Sequence, residues 1–396
     1  MTKRLYYTDC YLLTFDATIT ASNQCQDRWH TRLDRSAFYP TSGGQLHDAG
    51  KLNDVAVIDV IESDNGDVVH ISDSPVGKAG DLIEGEVDPL RRRRNRQKHT
   101  AQHIFSRAAV DLYDFATLSV HLGEEYAAVE LDAPTLSDEQ LRCLEEASNE
   151  IIRDNQPVTI LQVDADKAAQ LPLRRKPARS GSLRIIKIGE REYSACGGTH
   201  CSCTAEVGLF KIIGVEKIRK HVLVKFICGD RASDDYRTRF KVTDQLSRQF
   251  TCNASDLPDK IRLLSAEHKQ LRAEVTRTLS DQLPEQADKL ASLVFVCGTR
   301  QIVAAQVDSR FDKLLHKLAS EVASRIGGIA LLAAEERLVL ATSKTTGLHA
   351  GNLARDLADR FELKGGGSAT AAQLGGADSA KLNQYRDALI EMATNV

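Results

Sequence analysis

The 396-residue sequence has no apolar run long enough to cross a membrane; the longest, Ile326–Ala334, is short and interrupted by glycines. It has no apolar signal-peptide core either, because Met1-Thr2-Lys3-Arg4-Leu5 leads straight into Tyr6 and Asp9. The expected location is therefore the cytoplasm, with no membrane partner. Neither sign of charge dominates: 52 Lys and Arg against 55 Asp and Glu leave −3, so the chain as a whole is no general polyanion binder. Cysteines number nine, an odd count scattered over a long chain. That argues against a secreted disulfide framework and for reduced thiols or metal ligands. What is present, 42% hydrophobic and 27% charged residues, describes a soluble globular protein long enough for two or three domains.

The pattern along the chain predicts an α+β protein. Residues 1–90 read as a small β-rich domain of short strands and turns, with alternation over Leu52–Ile61 and a strand at Asp67–Ile71. Asp88-Pro89 is a helix start, an N-cap followed by proline at the first helical position, and the helix is expected to run to about Asp111. Residues 91–230 read as an α+β core. It holds strands at Tyr126–Leu131, Val158–Val163, Leu183–Ile188, Leu209–Val215 and Val222–Ile227, and a helix behind the capping box Ser137-Asp138-Glu139-Gln140. Residues 231–285 become polar and helical. There Ile261, Leu264, His268, Leu271, Val275 and Leu279 recur at three and four, the seam of a short coiled coil or of an amphipathic helix on its own domain. Residues 286–396 read as a C-terminal α/β domain ending in the glycine-rich stretch Gly365–Gly376. A homodimer through the helical linker or the C-terminal domain is expected.

Two basic blocks break the near-neutral balance. Arg91, Arg92, Arg93, Arg94, Arg96 and Lys98 fall within eight residues, and Arg174, Arg175, Lys176 and Arg179 form a second group. Such patches bind phosphates, although a solvated helix face has the same composition. Inside the first helix, His99 and His103 are four apart and share one face, so both imidazoles can reach one ion. That spacing is common by chance. A second pair, Cys196 and His200, lies across Cys196-Gly197-Gly198-Thr199-His200, where two glycines let the backbone double back. Three nitrogens and one sulfur suit one tetrahedral zinc ion per chain and argue against magnesium or calcium. Cys201 and Cys203 sit beside the site and are read as bystanders, since adjacent side chains rarely point at one ion.

Phe38-Tyr39-Pro40-Thr41-Ser42-Gly43-Gly44-Gln45, His99-Thr100-Ala101-Gln102-His103 and Cys196-Gly197-Gly198-Thr199-His200, in that order and at about that spacing, resemble the editing domain of alanyl-tRNA synthetase and its free-standing relatives. Gly365–Gly376 resembles the small domain that follows it in the synthetase and in longer editing proteins, so the resemblance covers nearly the whole chain. It departs at Ser368-Ala369-Thr370-Ala371, where relatives carry a longer glycine run, a basic residue and Pro-Asp. The Asp-His-His signature of phosphoesterases that share this small domain is absent.

The resemblance implies hydrolysis of serine or glycine mischarged on alanine tRNA, by an aminoacyl-tRNA hydrolase with His99, His103, Cys196 and His200 as zinc ligands. Thr41 matches the position whose hydroxyl helps recognise serine, and Gly43, Gly44 and Gln45 match the motif lining that pocket. Since the sequence starts at the editing domain, with no room for an ATP-using aminoacylation domain before it, action in trans is expected. Gln45 and Gln102 are candidates for orienting water or substrate. Arg92, Arg93 and Arg96 are expected to hold the tRNA backbone near the zinc. Two rivals stand beside this reading: a non-catalytic zinc module that binds tRNA, and editing of a tRNA other than alanine tRNA.

Overall fold

The computed structural model describes residues 1–175 and 181–394; Lys176 and Arg179 of the second basic block lie outside the described residues. It is a mixed α+β chain that divides into two compact units, Met1–Leu246 and Ser247–Val396. The division falls inside the helix Gly229–Phe250, whose first turns are tied by Arg93–Asp230 and Arg94–Asp234 ion pairs to the helix that starts at Pro89.

In the first unit, seven strands form one antiparallel sheet. Their order is Val55–Val57, Gly50–Leu52, Leu82–Val87, Thr14–Cys25, Arg28–Leu33, Val68–Ser72, Asp59–Glu62. Leu82–Val87 alternates exposed and buried residues, as a strand with one face on a core must. Helix α1, Pro89–Tyr113, follows at once. Asp88 caps it by accepting from the Arg91 backbone N–H at 2.8 Å, Pro89 opens it, and Asp114 ends it in the left-handed conformation. Helix α2, Asp138–Arg153, starts on the expected capping box, with Ser137 and Gln140 each accepting from the other's backbone.

α1 and α2 share a core with a four-stranded antiparallel sheet, ordered Thr117–Leu122, Ala127–Leu131, His221–Cys228, Phe210–Ile218. Ala101, Ile104, Phe105 and Ala108 of α1 meet Val129, Phe210, Val224 and Phe226 there. A three-stranded sheet, Val158–Asp164, Ser182–Ile188 and Glu192–Ala195, runs directly into Cys196. The other face of α1 is polar and yet buried: Arg92, Asn95, Gln97, Lys98, His99, Gln102 and His103 are all under 9% exposed. Such a helix is tolerable only if each polar group finds a partner, which makes α1 the element to search for a site.

The second unit is built on a six-stranded sheet, ordered Phe295–Cys297, Arg300–Gln306, Ile329–Ala334, Arg337–Thr342, Ala371–Gly375, Lys364–Gly367. Helices Leu315–Ile326 and Ala350–Phe361 contribute to two separate cores on it. The glycine-rich stretch supplies the edge strand Lys364–Gly367 and its neighbour. No helix among the described residues is long and apolar enough to cross a membrane.

Candidate metal centre

One turn of α1 brings His99 and His103 into stacked contact, ring centroids 5.3 Å apart. The turn after strand Glu192–Ala195 brings up Cys196 and His200. The ligand atoms of His99, His103, Cys196 and His200 all lie within 4.8 Å of one another. Cys196 Sγ is 3.3 Å from His99 Nε2 and 3.4 Å from His200 Nε2. Bonds of about 2.0–2.3 Å to a central ion require tetrahedral edges of roughly 3.3–3.8 Å, which the two Cys196 distances match.

The outer nitrogens carry a second, independent sign. His99 Nδ1 is 2.7 Å from Gln45 Oε1, His200 Nδ1 is 3.3 Å from Thr100 Oγ1, and His103 Nδ1 is 3.4 Å from Glu192 Oε1. All three rings thus engage their surroundings through Nδ1 and leave Nε2 for the cluster, the arrangement that metal-ligating histidines adopt. Protonation agrees. Burial opposes ionisation of the Cys196 thiol, but His99 and His200 carry it well below its usual value. Burial, with His99 beside it, pushes His200 down to about 3, so that imidazole is neutral at physiological pH. A thiolate among imidazoles is a donor set for a transition metal.

The backbone is shaped to make room. Gly43 and Gly44 occupy the tight turn between Ser42 and Gln45 with φ of +54° and +83°, and a Cβ on Gly44 would lie 2.6 Å from the Val120 carbonyl oxygen. Arg184 donates to the Cys196 and Gly198 carbonyls at 2.6 and 3.1 Å, bracing the second turn. A Cβ on Gly198 would sit 2.1 Å from His99 Cε1. Gly198→Ala is therefore expected to tilt His99 off the cluster and weaken metal retention by at least about tenfold, the smallest loss that disturbing a ligand's support brings. Competition with a chelator measures it, and unchanged retention would mean that the 196–200 turn yields instead.

A cavity of about 890 Å³ opens on this cluster, lined by His99, His103, Cys196, Gln102, Thr117, Val120 and Ser194 near the ligands and by Tyr7, Tyr39, Ser42 and Gly43 beyond them. Among the described residues, the positive side chains on its wall are Arg4, Arg174, Arg175 and Arg184. Gln102 is where the sequence reading put it, buried on the cavity wall, its Nε2 donating to Ser106 Oγ at 2.8 Å.

Several expected residues lie elsewhere. Thr41 is exposed and outside the cavity lining; its hydroxyl accepts from the His47 backbone N–H at 3.1 Å. Gln45 is spent on protein groups. Its Oε1 meets His99 Nδ1 and accepts from Thr199 N, and its Nε2 donates to Thr199 Oγ1 at 3.0 Å, so it positions a ligand. The first basic block is largely engaged with the protein. Arg92 is wholly buried on Asp48, Arg93 pairs with Asp230, and Arg96 is 9% exposed with its guanidinium 3.5 Å over the Tyr11 ring. None of the three lines the cavity. Their partners are too distant in sequence for charge counting to find.

Thr117 was missed. It is 5% exposed, lines the cavity and donates to Ser106 Oγ. No motif marks it, and only the pairing of its strand beside α1 brings it there. Arg4, Arg184 and Glu192 were missed for the same reason.

Comparison with known proteins finds relatives for both parts of the chain. Residues 183–223, which contain Cys196 and His200, match the Threonyl and Alanyl tRNA synthetase second additional domain, and residues 299–395 match the DHHA1 domain. The alanyl-tRNA editing protein AlaX-L of Pyrococcus horikoshii is 29% identical over 99% of this chain and 98% of its own. The chain is thus similar, along nearly its whole length, to an alanyl-tRNA editing protein. Alanyl-tRNA editing protein Aarsd1 of Bos taurus is 30% identical over 63% of this chain and 56% of its own length. Alanine–tRNA ligase of Archaeoglobus fulgidus is 28% identical over 94% of this chain, which spans only 42% of that ligase. One matched segment falls in each unit: 183–223, with the Cys196–His200 half of the cluster, in the first, and 299–395, about two-thirds of its length, in the second.

Proposed function

We propose that the chain is a trans-editing hydrolase that removes serine, and glycine in the same cavity, from mischarged alanine tRNA. The observation that carries this is a His₃Cys cluster on the wall of an 890 Å³ cavity, in a chain matched along 99% of its length to an alanyl-tRNA editing protein. The reaction adds water across the ester joining the amino acid to a terminal ribose hydroxyl. It yields the free amino acid and an uncharged tRNA. Zinc, held by His99, His103, Cys196 and His200, would supply a Lewis acid for the carbonyl or a more acidic bound water.

The chain's own residues do the rest. Gln45, Thr100 and Glu192 orient the three imidazoles. Arg175, exposed on the cavity wall, supplies positive charge for the phosphates that follow the terminal nucleoside, whereas Arg4 pairs with Glu62, Arg174 with Glu192, and Arg184 donates to backbone carbonyls. Gln102 and Thr117 offer polar groups beside the ligands. We assign recognition of the serine hydroxyl to Thr117 rather than Thr41, because Thr117 lines the cavity and Thr41 does not. A polar group that pairs with serine is left unpaired by alanine, at a cost of about 1–3 kcal/mol.

The deciding experiment is a deacylation assay on Ser-, Gly- and Ala-charged alanine tRNA. Serine release with alanine left intact is expected, and no release of any amino acid would reduce the chain to a tRNA-binding module. In that assay Thr117→Val should slow serine removal by up to about tenfold and glycine removal less, as one neutral hydrogen bond allows. Thr41→Val should leave both rates alone; the reverse pattern would restore Thr41 as the reader.

We also propose a homodimer through the helical region between 231 and 285. Helix Leu257–Asp281 buries only Leu257 and leaves Ile261, Leu264, Leu271 and Val275 exposed along the predicted seam. Light scattering on the full chain tests it: a monomer mass at micromolar concentration removes it.

A further inference from the structure

Of the three histidines in the cluster, His103 alone turns its outer nitrogen to a carboxylate. That carboxylate, Glu192, is 1% exposed. Its Oε1 accepts from Arg174 Nε at 2.9 Å and from Ser194 Oγ at 2.5 Å and faces His103 Nδ1 at 3.4 Å, while Oε2 is buried without a hydrogen-bond partner. A buried anion with spare acceptor capacity is costly, and a fold that needed only packing here would do better with an apolar side chain.

Its place in the sheet supplies a reason. Residues two apart on a strand share a face, so Glu192 and Ser194 project to the same side of strand Glu192–Ala195, and Cys196 opens the turn that follows it directly. One segment therefore delivers a thiolate ligand and, four residues earlier, the group that steers a second ligand. Arg174 balances the charge, and its own position is set by its backbone N–H donating to the Tyr193 carbonyl at 3.0 Å.

We propose that Glu192, neutralised by Arg174, is a positioning residue that holds the His103 ring with Nε2 toward the metal, so that metal retention depends on an ion pair outside the ligand set. The inference rests on the zinc reading above. His99 and His200 have weaker steering groups, a neutral amide and a hydroxyl that already accepts from Cys201 N at 3.0 Å. His103 is thus the anchor of the three. A carboxylate behind an imidazole raises its basicity as a ligand as well as fixing its tautomer.

The test uses the full chain. Zinc per chain in the unaltered protein is measured first; a value near zero overturns both the metal reading and this inference. With the parent loaded, zinc affinity by chelator competition, the visible absorption of the cobalt(II)-substituted protein and the melting curve of the metal-stripped protein are compared for Glu192→Gln. Affinity is expected to fall about 10–100-fold, as loss of an outer partner does. The cobalt bands should shift, which a purely structural contact would not cause. Arg174→Gln should move both readouts in the same direction, and it decides the matter where Glu192→Gln does not fold. A variant that melts like the parent, binds zinc within twofold of it and leaves the cobalt spectrum unchanged overturns the inference while sparing the zinc reading.

Discussion

Cys196→Ala is expected to empty the metal centre and abolish deacylation. Cys196 is the only sulfur in the four-residue cluster, and its Sγ stands within 3.4 Å of the Nε2 atoms of both His99 and His200. Removing it takes away the one anionic ligand and leaves three imidazoles around a cation with nothing to offset its charge. Losing an outer partner of a ligand costs about 10–100-fold in affinity, so losing a ligand should cost more than about 100-fold. Elemental analysis after dialysis against a chelator should find about one zinc in the parent and almost none in the variant. Cys201→Ala is the control. That thiol is buried, its pKa is pushed up to about 12 mainly by burial, and it stays protonated at working pH. It should keep its zinc. A full zinc complement with unchanged deacylation in Cys196→Ala would remove the thiolate from the site and the proposed chemistry with it.

The same contrast shows what could be read from the sequence. His99 and His103 were legible because helical periodicity alone places residues four apart on one face, and Asp88-Pro89 marks where that helix begins. Cys196 and His200 were legible because the glycines between them point to a turn. Both are local signals. The basic run Arg91–Lys98 is local too, but it does not reveal its partners. Four of its arginines meet Glu124, Asp48, Asp230 and Asp234, and Lys98 donates to the Gly123 carbonyl at 2.6 Å. These partners come from other elements, and only the tertiary fold sets them. Thr41 and Thr117 differ in the same way: Thr41 sits in a recognisable motif, whereas Thr117 reaches the cavity through strand pairing alone. Gln45 was placed in the right region, but its role depends on Thr199, more than a hundred residues away.

Arg92→Met is expected to be among the most destabilising single changes in the first unit, and to act on stability rather than on tRNA affinity. Arg92 and Asp48 are both wholly buried, with Nη2 and Oδ2 2.6 Å apart and Nε within 3.2 Å of both carboxylate oxygens. The remaining Arg92 donors are spent on the Cys10 and Ala37 carbonyls, at 3.0 and 2.5 Å. Asp48 also accepts from the Tyr39 backbone N–H at 2.7 Å. One guanidinium thus ties α1 to three points of the preceding β-rich segment. Methionine would fill much of the volume but strand a carboxylate and two carbonyls in the interior. Breaking one side of a buried pair costs about 3–5 kcal/mol. In a unit of this size each kcal/mol lowers Tm by about 2–4 °C, so the melting point should drop by roughly 6–20 °C. The double variant Arg92→Met, Asp48→Leu removes both charges and should recover much of that loss, since a buried pair replaced whole by apolar groups is often nearly neutral. A surface phosphate contact would behave oppositely: removing it would leave the melt unchanged, raise KM and flatten the salt dependence of tRNA binding. Melting curves of the two variants beside a salt titration of binding separate the cases, and an Arg92→Met protein that melts like the parent but loses its salt slope would return Arg92 to the tRNA interface.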